Sequence, residues 1–214
     1  MTIKRNDSID KRLFGKLPNG EDVYIYRLTD GTETAEIMEY GAAIVSLCPF
    51  GDVDVVGGDI KEHTVQIWAD SYSEVNDKLI PTGNHPNVIG TPLDLRLPKK
   101  VGEDFSPTFD GYDHNMILFP KFHKEFNNKK IGLAARVENQ KMIMQVYTDQ
   151  PGLQLYTGNF LGNGPNFKGN IPQIRQGALC LEAQTEPNCI NHGEDIYEKG
   201  QVYKQLTVYE FIIK

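Results

Sequence analysis

No apolar run in this 214-residue chain approaches the roughly 20 residues that cross a bilayer as a helix. The opening stretch, Met1-Thr2-Ile3-Lys4-Arg5-Asn6-Asp7-Ser8, is polar and mixed in charge, unlike a secretory leader. A soluble, unprocessed protein of the cytoplasm is therefore expected. Cysteine is scarce: Cys48, Cys180 and Cys189 are odd in number, and none stands in a Cys-x-x-Cys pair. That argues against a disulfide framework and a zinc ribbon, and fits reduced thiols. Positive charge is also in short supply. With 22 Lys and Arg against 29 Asp and Glu the net charge is −7, and the pI is near 5.3. Duplex nucleic acid and anionic membranes both need a basic face, so neither is expected as a partner. His63, His85, His114, His123 and His192 show no metal-ligand spacing. G-x-S-x-G, P-loop and G-x-G-x-x-G patterns are missing, and the superficially phosphate-like Gly162-Asn163-Gly164-Pro165 leads into no helix pattern. No metal or other cofactor is expected.

Amphipathic helices, internal repeats and low-complexity segments are also wanting; what remains is strand text. With 39% hydrophobic and 10% aromatic residues, the chain is long enough for one substantial core and for a single all-β domain spanning 1–214. Asn19-Gly20 and Asp30-Gly31 mark tight turns, and Val23-Tyr24-Ile25-Tyr26 supplies β-branched and aromatic residues between them. Residues 35–40 alternate, and the apolar run 41–47 is expected to cross the core. Short strands are expected at 53–57 and 64–72, and an apolar strand start at 116–118 behind the polar triplet 113–115. Residues 131–137 and 141–149 should form a hairpin turning through 138–140, followed by strands at 153–158 and 202–214. The Pro, Gly and Asn content of 81–92 makes that stretch irregular, as it does the loop 161–176. Antiparallel sheets packed face to face are the expected architecture.

Three polar residues stand inside apolar strand text: Asp113, Gln154 and Glu182. Residues 177–187 hold Glu182 within an apolar run, which suggests a partly buried carboxylate. Burying one costs several kcal/mol unless it is paired or used. Each residue also has a structural reading. Asp113 beside Gly111 suits an Asx turn. Gln154 suits an outward position between Leu153 and Leu155. Glu182 suits a structural ion pair. None is decisive singly.

The order of motifs along the chain resembles that of aldose 1-epimerases, the galactose mutarotases. The resemblance rests on Tyr40-Gly41-Ala42-Ala43-Ile44-Val45-Ser46-Leu47, Leu79-Ile80-Pro81-Thr82-Gly83, Gly90-Thr91-Pro92-Leu93-Asp94-Leu95-Arg96 and Gly111-Tyr112-Asp113-His114-Asn115. It continues through the stretch 147–161 and Leu179-Cys180-Leu181-Glu182-Ala183-Gln184. Collinear matches over nearly the whole chain imply an antiparallel β-supersandwich. The resemblance implies Glu182 as catalytic base, with Asp113 and Gln154 binding sugar hydroxyls. It implies interconversion of the α and β anomers of galactose or glucose without a cofactor, and, as the other readings, a non-catalytic carbohydrate-binding protein on the same sheets or a truncated isoform with no independent role.

The chain departs from that pattern in one place. Between the early Asp-Val-Val strand and the Leu-Gln-Ile-Asn-Ala-Asp strand, mutarotases carry a long segment. It holds an Asn-Arg pair, a substrate-binding histidine and the general-acid histidine of a His-x-Tyr-Phe-Asn motif. Here Asp59-Ile60-Lys61-Glu62-His63 runs directly into Thr64-Val65-Gln66-Ile67-Trp68-Ala69-Asp70. A shortened fold with no positioned acid near residues 59–64 is implied. Sheet edges left open by such a deletion would invite self-association.

Overall fold

The protein is described from a computed structural model, in which residues 8–48, 58–167 and 170–214 are placed. The strand expected at 53–57 lies outside the described residues. Contacts group the chain into two compact units, Met1–Val55 and Val56–Lys214.

The first unit holds an antiparallel sheet in the order β1-β2-β3-β4: β1 (Ser8–Lys16), β2 (Asp22–Thr29), β3 (Thr34–Met38) and β4 (Ile44–Cys48). Turn chemistry sets its connections. In Leu17-Pro18-Asn19-Gly20, Gly20 takes φ +90° and its N–H donates to the Leu17 carbonyl at 2.9 Å; that left-handed backbone favours glycine. At the next turn the Asp30 carboxylate accepts from the backbone N–H groups of Thr32 and Glu33. Alternate residues Val23 and Ile25 of β2 are buried. The expectation that the run 41–47 crosses the core is not met. Tyr40–Ala42 is a 3-10 turn, Ile44 and Leu47 are 60% and 44% exposed, and β4 lies at the sheet edge.

The second unit holds two further sheets. One runs β14-β11-β10-β5-β7, with β9 also paired to β10; the other runs β13-β12-β8-β6. Their strands are β5 (Thr64–Ile67), β6 (Ala69–Tyr72), β7 (Lys99–Lys100), β8 (Asp113–Leu118) and β9 (His123–Phe126). They continue with β10 (Lys129–Glu138), β11 (Met142–Thr148), β12 (Gly152–Tyr156), β13 (Cys180–Gln184) and β14 (Thr207–Ile213). Every pairing is antiparallel. The fold is all-β. Helical turns among the described residues include the short 3-10 segments Ile60–Glu62 and Cys189–His192, and no helix among them is long and apolar enough to cross a membrane.

The main core lies between these sheets. Val65, Ile67, Ala135, Val137 and Val146 enter from the first, and Ala69, Met116, Leu153, Leu155 and Leu181 from the second. Fully burying one such aliphatic side chain contributes about 1.5–3 kcal/mol. β10 is buried on both faces: Ala135 and Val137 join this core, while Ile131 and Leu133 pack with Tyr147, Trp68 and Val208 on the other side. That explains its unbroken apolar text. The 138–140 hairpin turn forms as expected, with Glu138 opposite Ile143. Strand β9 was not legible in the sequence. It turns into β10 through Asn127 and Asn128, both at positive φ, a pair that a two-residue hairpin accommodates. β14 begins at Thr207 rather than at 202.

At the 59–64 junction the chain forms an ordered turn. The Asp59 carboxylate accepts from the Lys61 N–H at 3.0 Å, His63 Nδ1 lies 3.0 Å from the Asp59 carbonyl, and Ile60 joins the core.

Candidate functional site

Strand alternation builds the site. Because Met116, Leu153, Leu155 and Leu181 point into the core, the residues between them point to the opposite face. Register then lines them up in rows across β8, β12 and β13. Asn115, Gln154 and Glu182 stand side by side; Asp113, Tyr156 and Cys180 form the row before, and Ile117, Gly152 and Gln184 the row after. Neighbouring strands lie about 4.8 Å apart, so one face carries a compact polar patch. Above it is an open cleft of about 360 Å³ whose lining includes all three residues singled out from the sequence, Asp113, Gln154 and Glu182. Its other walls are Tyr156, Phe160, Gln184 and Pro187. The volume is in the range of small-molecule sites.

Hydrogen bonds fix most of these groups. Gln154 Nε2 donates to Asp113 Oδ1 at 2.8 Å, which orients the amide so that its carbonyl stays available. Gln184 Nε2 donates to Asn115 Oδ1 at 3.1 Å, and Asn115 Nδ2 donates to Ser73 Oγ at 2.9 Å. Tyr156 and Phe160 stack at 6.3 Å, and the Phe160 N–H donates to the Tyr156 hydroxyl at 3.0 Å. The Asp113 backbone is held from behind. The Tyr112 N–H donates to Thr157 Oγ1 at 2.9 Å, and the fully buried Tyr112 ring has its phenol pKa pushed up by burial. Just before it, Gly111 has φ +95°, and a Cβ there would lie 2.4 Å from Asn159 Oδ1 and 2.6 Å from Thr157 Oγ1. Only glycine fits that approach.

Glu182 is exposed, which overturns the expectation of a partly buried carboxylate. The cause is period two: Leu181 and Ala183 face the core, and Glu182, between them, faces out. Among the described residues no hydrogen bond or ion pair holds its carboxylate. Burial first, and then the charge of Glu182, push up the Cys180 thiol and the Tyr209 phenol. The outer edge of β13 is partly covered, since Gln205 Nε2 donates to the Ala183 carbonyl at 2.8 Å.

His114, one residue from Asp113, is on the other side of the sheet. It is half-buried, stacks on Phe109 and meets Tyr72 edge-on, and its Nδ1 accepts from the Asp113 N–H at 3.0 Å. Burial lowers its pKa, with the Asp113 charge opposing in part. The described residues that line the cleft include no histidine. Sequence reasoning missed Asn115, Tyr156 and Gln184. Each is two residues along the same strand from a residue it did find, which is the signal that reveals them.

Comparison with known proteins gives the family of the chain. The sequence pattern of the family described as Aldose 1-epimerase matches residues 52–210. The chain is 33% identical over 204 residues to an aldose 1-epimerase of Escherichia coli (strain K12), covering 87% of this chain and 57% of that protein. It is 36% identical over 161 residues to a galactose mutarotase of Mus musculus, covering 72% and 45%. The chain thus spans about half the length of the curated relatives it matches. Two solved structures share its fold at 20% identity. A GalM/aldose epimerase homologue from C. elegans gives TM-score 0.56 over 91% of this chain and 53% of its own. A galactose 1-epimerase from Lactobacillus acidophilus NCFM gives TM-score 0.52 over 100% and 64%. With that pattern running from residue 52 to 210 and an all-β antiparallel fold, this chain belongs to the aldose 1-epimerase family.

Proposed function

We propose that the cleft over β8, β12 and β13 binds an aldohexose such as galactose or glucose and promotes exchange of its anomers with Glu182 as base. The observation that carries this is the placement of Asp113, Gln154 and Glu182 in two adjacent rows of one sheet face, lining one cleft. Mutarotation removes the proton of the anomeric hydroxyl while the ring oxygen gains one; the aldehyde then rotates and the ring closes on either face. In this chain Glu182, exposed and unpaired, takes the anomeric proton. The Asp113 carboxylate and the Gln154 carbonyl accept hydrogen bonds from neighbouring hydroxyls, and the stacked Tyr156 and Phe160 rings offer an apolar surface to the sugar's C–H face.

Among the described residues the lining of the cleft includes no histidine, so in this reading water supplies the proton that the ring oxygen gains. The absence of a positioned acid lowers the rate by about 10²- to 10⁴-fold relative to an acid–base pair. Residues 1–214 then represent one mutarotase-like domain lacking the family's central segment near residues 59–64. The ordered turn at Asp59 and the matched share of the relatives support that reading. Its three free cysteines fit a reducing compartment such as the cytoplasm.

Polarimetry on freshly dissolved α-galactose tests the proposal. Rotation should relax faster than in buffer in proportion to protein concentration. Relaxation equal to buffer at high protein concentration would leave sugar binding without catalysis as the function of the cleft.

A further inference from the structure

The two outer strands of the cleft sheet, β13 and β6, stand three intervals of about 4.8 Å apart, roughly 14 Å in all. The segments that follow them nevertheless meet. His85 Nε2, in the loop after β6, donates to both carboxylate oxygens of Glu186, just past the end of β13, at 2.8 and 2.9 Å. To reach it the segment after β13 passes over β12 and β8, because Pro187 borders both the cleft above Gln154 and Glu182 and a neighbouring hollow above Asn115 and Ser73. Each partner is built to hold its position. A proline follows both, Pro86 and Pro187, and the residue before a proline is restricted toward extended backbone. The Tyr72 N–H donates to the Pro86 carbonyl at 3.2 Å, the Glu74 N–H donates to the Asn84 carbonyl at 3.0 Å, and Asn87 bridges to Ser71, so the loop is a pinned extension of β6. On the other side the Cys189 N–H donates to the Glu186 carbonyl at 3.1 Å, and Thr185 Oγ1 donates to Asp195 Oδ2 at 2.9 Å. A second contact joins the same two segments: a Cβ on Gly83, at φ +85°, would lie 3.6 Å from the His192 ring.

We propose that His85 and Glu186 are positioning residues of the cleft: their pair straps the segment after β13 to the loop after β6 and holds Pro187 as a fixed wall against the bound sugar. The inference rests on the reading of the cleft as an aldose site. The described residues that line the cleft include Pro187 but neither His85 nor Glu186, so the pair acts through Pro187 and not on the reacting atoms. Both residues also lie outside the motifs that carry the family resemblance. Without the strap the segment that carries Pro187 loses its far anchor, and the ligand must order it on binding, a cost that a preorganised wall avoids. The side chains of His85 and Glu186 are 43% and 20% exposed, and a pair so open to solvent adds little to global stability. Its effect is local to the cleft.

Titration calorimetry of the full chain with galactose tests this in wild type, His85→Ala, Glu186→Ala, the double variant and His85→Gln. In His85→Ala and in Glu186→Ala the Kd should rise about fourfold, near the upper end of what a partly exposed pair supplies. The double variant should lose no more than either single one. His85→Gln keeps an N–H donor in place of Nε2 and should restore affinity to within about twofold of wild type. Thermal midpoints should stay within about 3 °C of one another. In anomer exchange KM should rise by the same factor with kcat unchanged, as expected when binding common to ground and transition states is lost. Galactose bound equally by wild type and His85→Ala, or losses that add in the double variant, would overturn the strap and leave the aldose site standing. A wild type that binds no galactose would overturn both.

Discussion

At the scale of single residues, the site depends on polar groups whose roles differ although they share one face. Gln154 is pinned by its donation to Asp113 at 2.8 Å, so its carbonyl points in a fixed direction before any ligand arrives. Substituting Gln154→Ala removes one acceptor and releases Asp113. Galactose affinity measured by calorimetry should fall about tenfold, in line with the roughly 1–1.5 kcal/mol of one hydrogen bond. Glu182→Gln acts differently. Glu182 is exposed, and no hydrogen bond or ion pair among the described residues restrains it. Stability should therefore stay within about 0.5 kcal/mol of wild type by urea unfolding, while catalysed anomer exchange disappears. Family motifs singled out Asp113, Gln154 and Glu182, which the structure places along one cleft, but the surroundings of Glu182 were not legible. Leu181 and Ala183 made its neighbourhood read as a buried run, whereas in strand text with period two the same letters place the charge on the open face.

At the scale of elements, the cleft depends on how the backbone enters β8. Gly111 packs where a Cβ would strike Asn159 and Thr157, and it does so at φ +95°. Gly111→Ala should destabilise the protein by about 1–3 kcal/mol and displace Asp113, so denaturant midpoint and sugar affinity should fall together. A lower midpoint with unchanged affinity would show that β8 positions Asp113 without help from this turn. Turn chemistry made many of the strands legible: Asn19-Gly20, Asp30-Gly31 and the 138–140 turn all sit where the sequence puts them. β9 escaped because its turn uses Asn127 and Asn128 without a glycine, and its four residues are all exposed, leaving no apolar alternation to read. The run 41–47 misled in the opposite sense, since small residues and a 3-10 turn interrupt it before β4 begins.

At the scale of the whole molecule, stability should depend on pH in two windows. His114 is half-buried, and desolvation holds its pKa below the ordinary value of 6.5. Below that value the unfolded chain gains a proton before the folded one does, so stability is intact above pH 6.5 and falls as pH drops toward the folded pKa. His114→Asn keeps an acceptor for the Asp113 N–H, and should flatten the change in unfolding free energy between pH 7 and pH 5. The second window lies lower. Donation from Arg96 draws the Asp94 pKa down; at Asp149, burial raises it but Lys129, Gln150 and the Leu206 N–H outweigh that. Both carboxylates are depressed, so their contribution is present above the ordinary carboxylate range of about 4 and is lost as pH falls below it.

The all-β class and the paired sheets of the second unit followed from strand text and turns. The rows that assemble the cleft required the register of β8 with β12 and β13, which no local pattern encodes. The central claim is that these rows form one aldose site with Glu182 as its base. Exchange NMR on the anomeric protons of galactose, with wild-type protein and with Glu182→Gln, tests it most directly. Exchange between the α and β signals should rise with wild-type concentration and return to the buffer rate in the variant. Equal exchange in the two proteins would contradict it.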